Sequence, residues 1–490
     1  MKKMKSVLAL SLAALMMFSA AACGKKVDNS SSNPANDDDL FADTEITISS
    51  DSQSGSTTGD GKTSNSTSGS QGSSGGSTGG STGGSTAVGG KSWKDVLSSM
   101  PSSLRGTTLT VYNWNALKEY TGAPAAVKAF EKQTGITVKW ITQNYRTYLS
   151  QLASKVAADQ APDLVRTNTP KPSGLLSLQS ITATGYDFSD AAWDQQTMKD
   201  YTYKGKVYAT SLKGTHVGSA AVVLYNKSLI AKYDLEDPYQ LWKSGKWTFT
   251  KFLDIARAYK KASKTDFAIG GGEYEFYANL YGVQGPLKYD GTKFVNMLKD
   301  STFINITKTM ADLRNTESVF RGWGSDEFNN GECLFWFNGA IYARKDNAYF
   351  QNLKSAGSLN IVPAPTIEGQ STQYQPMTEY EAYGISQGAK NAKAAPYFLR
   401  YFLDPANYDM NSFFSSKQAL EVYNYAMSQP NRIWATPYKE NTEFLGDNHD
   451  EFAKGYGTIN GSQVITFFDT NYAVMDNRAK EYNSQLAKMQ

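Results

Sequence analysis

The sequence predicts an α/β protein built as two lobes, each a mainly parallel sheet flanked by helices. Strand and helix patterns alternate from residue 108 to 167. The 398 residues from Trp93 to Gln490 exceed what a single hydrophobic core usually serves. That stretch holds one cysteine, Cys333, so no intramolecular disulfide can staple it and a large apolar core must do so.

The elements follow in order. Thr108 to Asn113 (TLTVYN) alternates as a strand does and runs into a loop at Trp114-Asn115-Ala116. Pro124 suits a first helical turn, Val127 and Phe130 mark an apolar stripe, and Gly135 stops the helix. Ile136 to Thr142 is again strand-like. Tyr145, Leu149, Leu152 and Val156 recur at helical spacing, Pro162 interrupts, and Asp163 to Thr167 makes a short strand before a loop at Asn168-Thr169. The order βαβαβ implies a parallel sheet with helices on both faces. Ligands meet such sheets beyond the carboxyl ends of the strands, which here are the loops at Trp114-Asn115 and Asn168-Thr169.

Composition excludes several activities. The net charge of +3 is small for this length and no basic block lies beyond the extreme amino end, so nothing points to nucleic acid. Two histidines, His216 and His449, stand far from each other and from any cysteine, which excludes local zinc motifs, and no G-x-S-x-G elbow accompanies them. Gly84 and Gly89 have phosphate-loop spacing, but Gly90 stands where lysine is required. No cofactor and no metal is expected. Paired carboxylates, Glu273 with Glu275 and Glu379 with Glu381, keep glycoside hydrolysis open as an alternative.

The amino end carries lysines 2, 3 and 5, an apolar stretch from Val7 to Phe18, then Ser19-Ala20-Ala21-Ala22-Cys23. This is the layout of an export signal over residues 1–22, too short for a finished transmembrane helix. The small residues before Cys23 resemble a bacterial lipobox, with Ala20 in place of the usual bulky residue. The resemblance implies cleavage before Cys23 and lipidation of its sulfur, with acyl chains that hold the protein at a membrane. From Ser49 to Thr86 every residue is Ser, Thr, Gly, Asp, Asn, Gln or Lys, which reads as a flexible tether within residues 23–92. As a Gly/Ser coil that stretch reaches about 35 Å.

Several segments together resemble the extracellular solute-binding proteins of the family 1 type, the maltose-binding and related sugar-binding group. They are APAAVKAFEKQTGITVKW (123–140), YLSQLASKVAADQAPDLV (148–165), VVLYNKSLIAKYDLEDP (222–238) with KWTFTKFLDIARAY (246–259), FNNGECLFWFNGAIYA (328–343) and ISQGAKNAKAAPYFLRYFL (385–403). The resemblance implies a two-lobed periplasmic-binding-protein-like fold of type II. Lobe 1 would be 93–220 plus 376–430 and lobe 2 221–375 plus 431–490, joined by hinge crossovers. It implies an importer's capture subunit, monomeric and not an enzyme, lipid-anchored outside the bacterial cell membrane. Such a subunit closes around a mono- or oligosaccharide and delivers it to ABC permease subunits, the ATPase being another chain.

By the same resemblance the ligand contacts fall at Trp114 and Asn115, Asn168, Glu273 and Tyr274, Tyr342, Glu379 and Tyr380, and Trp434. Ile341 departs from the maltose-binding pattern, which has tryptophan there, so Tyr342 or Trp336 is expected to stack instead; Phe467 and Phe468 match a late aromatic segment loosely. The 9 Trp, 30 Tyr and 23 Phe suit a ligand whose rings present C–H faces. The four glutamates keep a cationic, non-sugar solute open as an alternative.

Overall fold

The computed structural model describes residues 90–489 except 169, 171, 216–218, 273, 284, 380–381, 415, 435–454 and 456. Cys23, the tether and both histidines lie outside the described residues. Two six-stranded sheets organise the chain. Their strands are β1 (Thr108–Asn113), β2 (Thr137–Thr142), β3 (Leu164–Thr167), β4 (Leu178–Gln179), β5 (Ala209–Thr210), β6 (Ser219–Asn226), β7 (Ile269–Gly271), β8 (Phe335–Gly339), β9 (Leu359–Pro363), β10 (Gln375–Glu379), β11 (Ala382–Ser386) and β12 (Arg432–Trp434). The main helices are α1 (Ala123–Thr134), α2 (Tyr148–Ala157), α3 (Phe249–Ser263), α4 (Ala395–Phe402), α5 (Lys417–Ser428) and α6 (Val464–Lys488).

The first sheet runs β2-β1-β3-β11-β4, with β5 also on β11; the second runs β12-β10-β6-β8-β7, with β9 also on β6. The predicted βαβαβ unit is present: β1 pairs parallel with β2 and with β3. Its α1 begins as expected with Pro124 in the first turn, and ends where Gly135 takes φ +71° and donates its N–H to Glu131 O at 2.8 Å.

Neither sheet is parallel throughout. In the first, β11 runs antiparallel to β3, β4 and β5; in the second, β6 runs antiparallel to β8, β9 and β10. The reason is connectivity: β6 and β11 are the strands on which the chain passes from one sheet into the other. They enter from the opposite end, against strands that a helical crossover returns in parallel.

The expected division also shifts. All of β10, beginning at Gln375, pairs in the second sheet, as do Ser219 and Ala220 of β6. Helix α5, expected with the first lobe, packs on β9 and β6 instead. Its buried stripe of Ala419, Val422, Tyr423 and Ala426 finds its cover there, and Asn360 Nδ2 donates to Gln418 Oε1 at 3.3 Å.

Helix α1 buries Val127 and Phe130 under α4, where Phe130 meets Phe398 edge-on at 5.3 Å; each such ring contributes about 1.5–3 kcal/mol by leaving water. The second sheet is buried on both faces, and Ala220 to Tyr225 of β6 are fully inaccessible. One apolar cluster continues from Tyr112, Leu152 and Val165 of the first unit into this sheet. Helix α6 closes the second unit, with Phe468 stacked on Phe303 at 5.5 Å, so Phe468 is core rather than a ligand contact. Its end reaches back to the first unit, where Lys204 Nζ donates to Ala487 O at 3.3 Å.

Candidate functional site

At the carboxyl edge of the first sheet, Asn113 ends β1 fully buried, with Oδ1 accepting the N–H of Asn115 at 2.9 Å. This turn projects Trp114 between Tyr145 and Tyr148, whose rings meet it edge-on at 5.3 and 5.1 Å. The Arg166 guanidinium, from β3, lies over the Trp114 ring at 4.1 Å and donates to Tyr120 Oη at 2.8 Å. Tyr148 Oη contacts both Tyr112 O, at 2.8 Å, and Arg166 O, at 3.0 Å, so one phenol ties β1 to β3. Beyond β3, Asn168 donates from Nδ2 to Tyr145 Oη at 3.0 Å.

At the carboxyl edge of the second sheet, β7 ends at Gly271 and β8 at Gly339. Gly271 and Trp323 exchange both backbone hydrogen bonds, Trp323 donating to Gly271 O at 3.0 Å. The half-buried Tyr342, in the turn after β8, meets Trp336 at 4.8 Å and Tyr349 at 5.1 Å, both edge-on. Trp323 meets Trp336 at 5.4 Å.

These two edges come together. Thr121, in the segment after β1, accepts from Arg344 Nη2 at 3.0 Å and donates to Asp346 Oδ2, both partners lying in the segment after β8. Arg344 and Asp346 form an ion pair at 2.7 Å, and the Arg344 guanidinium rests on Phe413 at 4.4 Å. A second tie is the buried ion pair of Arg432, on β12, with Asp194 at 2.6 Å. Asp194 also caps the helix Gln195–Asp200, accepting from the N–H groups of Gln196 and Thr197.

The structure brings Trp114 and Asn168 together on Tyr145, with Asn115 beside Trp114 and under Arg166. Their roles are not equal. Trp114 is only 9% exposed and supports its neighbours, whereas Tyr145 is 39% exposed. Asn115 is held internally: its Nδ2 donates to Glu119 at 2.7 Å and its Oδ1 accepts from Arg166. Tyr342 sits on the other edge. Trp336, expected as a stacking alternative, is fully buried with Nε1 donating to Trp323 O at 3.2 Å, so it is core. The backbone places Tyr274 at the start of helix Tyr274–Leu280, Glu379 at the end of β10 opposite Ser219, and Trp434 opposite Met377. Their side chains, together with Glu273 and Tyr380, lie outside what the structure describes.

Sequence reasoning singled out neither Tyr145 nor Trp323 at these two edges. Tyr145 matched the apolar stripe of the next helix, but that helix begins at Tyr148, and Tyr145 opens a preceding 3-10 turn that swings it outward. Trp323 carried a signal in its glycine neighbours, Gly322 and Gly324.

Among the described residues no group of three or more His, Cys, Asp or Glu side chains is placed to hold a metal. Cys333 is buried, its thiol donates to Ala268 O at 3.1 Å, and burial pushes its pKa far up, the reverse of what a nucleophilic thiol needs. No helix among the described residues is long and apolar enough to cross a membrane.

The fold is that of known binding proteins. The GacH receptor of Streptomyces glaucescens is similar with a TM-score of 0.56 and 17% identity, over 76% of this chain and 98% of that one. The cyclic α-maltosyl-1,6-maltose binding protein of Arthrobacter globiformis gives 0.55 and 14%, over 78% and 99%. The galacto-N-biose/lacto-N-biose I-binding protein of Bifidobacterium longum gives 0.55 and 15%, over 77% and 97%. No curated protein sequence matches. The model of the bacterial extracellular solute-binding protein family matches residues 125–413, from helix α1 to the Phe413 that carries Arg344. With two sheets whose carboxyl edges meet and that match across most of the folded part, the chain belongs to the bacterial extracellular solute-binding proteins.

Proposed function

We propose that this protein is the lipid-anchored capture subunit of an ABC importer and that it binds a sugar or oligosaccharide between its two carboxyl edges. The observation that carries the reading is the grouping of Trp114, Tyr145 and Asn168 on one edge, opposite an edge lined by Tyr342. Aromatic rings accept the C–H faces of a sugar, and amide and carboxylate groups satisfy its hydroxyls. Glu273, Tyr274, Glu379, Tyr380 and Trp434 complete the proposed site with Asn115. The fold relatives lend support: structures of them are described in complex with acarbose and with lacto-N-biose.

Ligand held by both edges biases the hinge toward closure, and the closed form presents itself to a membrane permease, with ATP hydrolysis on another chain. Binding rather than catalysis is the role. In this reading the two lobes are built on the two sheets, and the protein acts as a monomer outside the cytoplasm, held by lipid on Cys23.

Calorimetric and thermal-shift titration of the full chain against mono- and oligosaccharides and against spermidine tests the substrate class. A bound sugar at a hundred times Kd raises stability by about 2.7 kcal/mol. A shift with spermidine and none with any sugar overturns the sugar reading, and release of cleaved glycan identifies a hydrolase instead. For the anchor, C23A should move the protein from the membrane fraction to the medium.

A further inference from the structure

We infer that Arg344 is a positioning residue that couples the turn bearing Tyr342 to the passages on which the lobes move; this rests on the proposed capture role and names its closing device. Tyr342 and Arg344 share one short turn, Ala340–Ala343 capped by Arg344, whose N–H donates to Ile341 O at 3.2 Å. The proposed ligand contact and the guanidinium therefore move as one hydrogen-bonded unit.

The Arg344 side chain is 7% exposed, and its partners belong to different parts of the fold. Nε and Nη2 hold Asp346 at 3.0 and 2.7 Å, and Nη2 also donates to Thr121 Oγ1 of the first unit at 3.0 Å. The guanidinium rests on Phe413 at 4.4 Å, Arg344 pairs antiparallel with Phe414, and the Lys345 N–H donates to Phe413 O at 2.8 Å. Phe413 and Phe414 lie between α4 and α5, where the chain passes from the first unit to the second. The contacts continue from there. Phe414 meets Tyr423 of α5 at 5.2 Å, and Tyr423 Oη donates to Thr215 O at 2.9 Å. Thr215 lies between β5 and β6, on an earlier passage. Phe413, Phe414, Tyr423 and Thr215 are all buried, so a continuous packed path joins the turn of Tyr342 to two passages.

A residue that only filled space against Phe413 and Phe414 would be apolar. A guanidinium withdrawn from water keeps its charge through fixed partners, and its planar fork sets their directions as an ammonium does not. Of these partners only Thr121 belongs to the opposite edge, and that bond exists only while the two segments are close. A ligand that draws the edges together and the bond from Arg344 to Thr121 thus favour the same arrangement, and a shift of the turn carries the passage with it.

Hydrogen–deuterium exchange of the full chain, read on peptides covering 211–215 and 411–414, follows the two passages. Without ligand, R344M should speed exchange there by about tenfold while α1 and α3 keep the native rate. R344K retains the charge without the fork and should fall between. With maltotriose, cellotriose or lactose bound, both peptides should slow in the native chain; R344M should bind with a Kd about tenfold higher and lose the slowing. Equal acceleration in α1 and α3, or native rates at the passages in both variants, overturns the coupling. So does slowing that persists in sugar-bound R344M. Failure of the native chain to bind any of the three sugars removes the carbohydrate reading alone, because the ligand-free rates still decide the coupling.

Discussion

Arg344 Nη2 donates to Thr121 Oγ1 at 3.0 Å, and this contact joins the segment after the first strand of one sheet to the segment after a central strand of the other. Asp346 completes it, taking Arg344 Nε at 3.0 Å and the Thr121 hydroxyl. The bridge links segments that follow strands of the two sheets, so it favours the arrangement in which these segments are close. T121V deletes the hydroxyl with little change of shape, at a cost of about 1 kcal/mol for the lost hydrogen bonds. Small-angle scattering of the ligand-free chain should show a larger radius of gyration in T121V, and an unchanged radius would mean the bridge does not restrain the lobes.

The Arg432–Asp194 pair lies at 2.6 Å with side chains 9% and 4% exposed. Removing one partner strands the other in a dry site, which costs about 3–5 kcal/mol. D194A also removes the helix cap and should show a marked fall in denaturant midpoint. The double variant D194L/R432M should recover part of the loss, because an apolar pair leaves no buried charge. Equal instability of single and double variants would refute this account.

Lys354 sits beside the bridge, its Nζ donating to Asn347 O at 2.8 Å. Burial lowers its pKa from 10.5 to about 8, with Asp346 opposing and Arg344 assisting the shift. Because the folded pKa lies below the unfolded one, the unfolded chain binds more protons between these values, and stability rises with pH from about 8 to about 10.5. Thermal unfolding of native protein minus that of K354M, followed across this window, should show the rise. A flat difference would remove Lys354 as its source.

Tyr145 and Trp114 should separate binding from folding. Y145A removes a ring 39% exposed, so ligand affinity should fall while the unfolding midpoint barely moves. W114A empties a site packed by Tyr148 and Arg166 and should lose about 3–5 kcal/mol of stability. The opposite pattern, with Y145A unfolding early and W114A stable, would reverse the roles assigned to the two rings.

Helix α1 was legible down to its Pro124 and Gly135 because periodicity and terminal residues act over a few positions. So was the parallel pairing of β1, β2 and β3, since a helix between strands leaves little else. The antiparallel setting of β6 and β11 was not, because it depends on which end of the other sheet the chain enters. Tyr145 was misassigned for a local reason: three residues of 3-10 turn break the phase of an apolar stripe without altering its spacing in sequence.

The sequence by itself determined the fold class, and from it alone come the expectations of an export-and-anchor layout at the amino end and of ligand contact at the loops after β1 and β3. These follow from short-range patterning of apolar residues and from composition. Only the tertiary structure decided which side chains do what there. Trp114 is covered while Tyr145 is open, Asn115 is held by Glu119 and Arg166, and Trp336 is core while Trp323 is held at the strand end by Gly271. Exposure depends on neighbours distant in sequence, and Arg344 meets Thr121 across more than two hundred residues, a proximity no local pattern encodes.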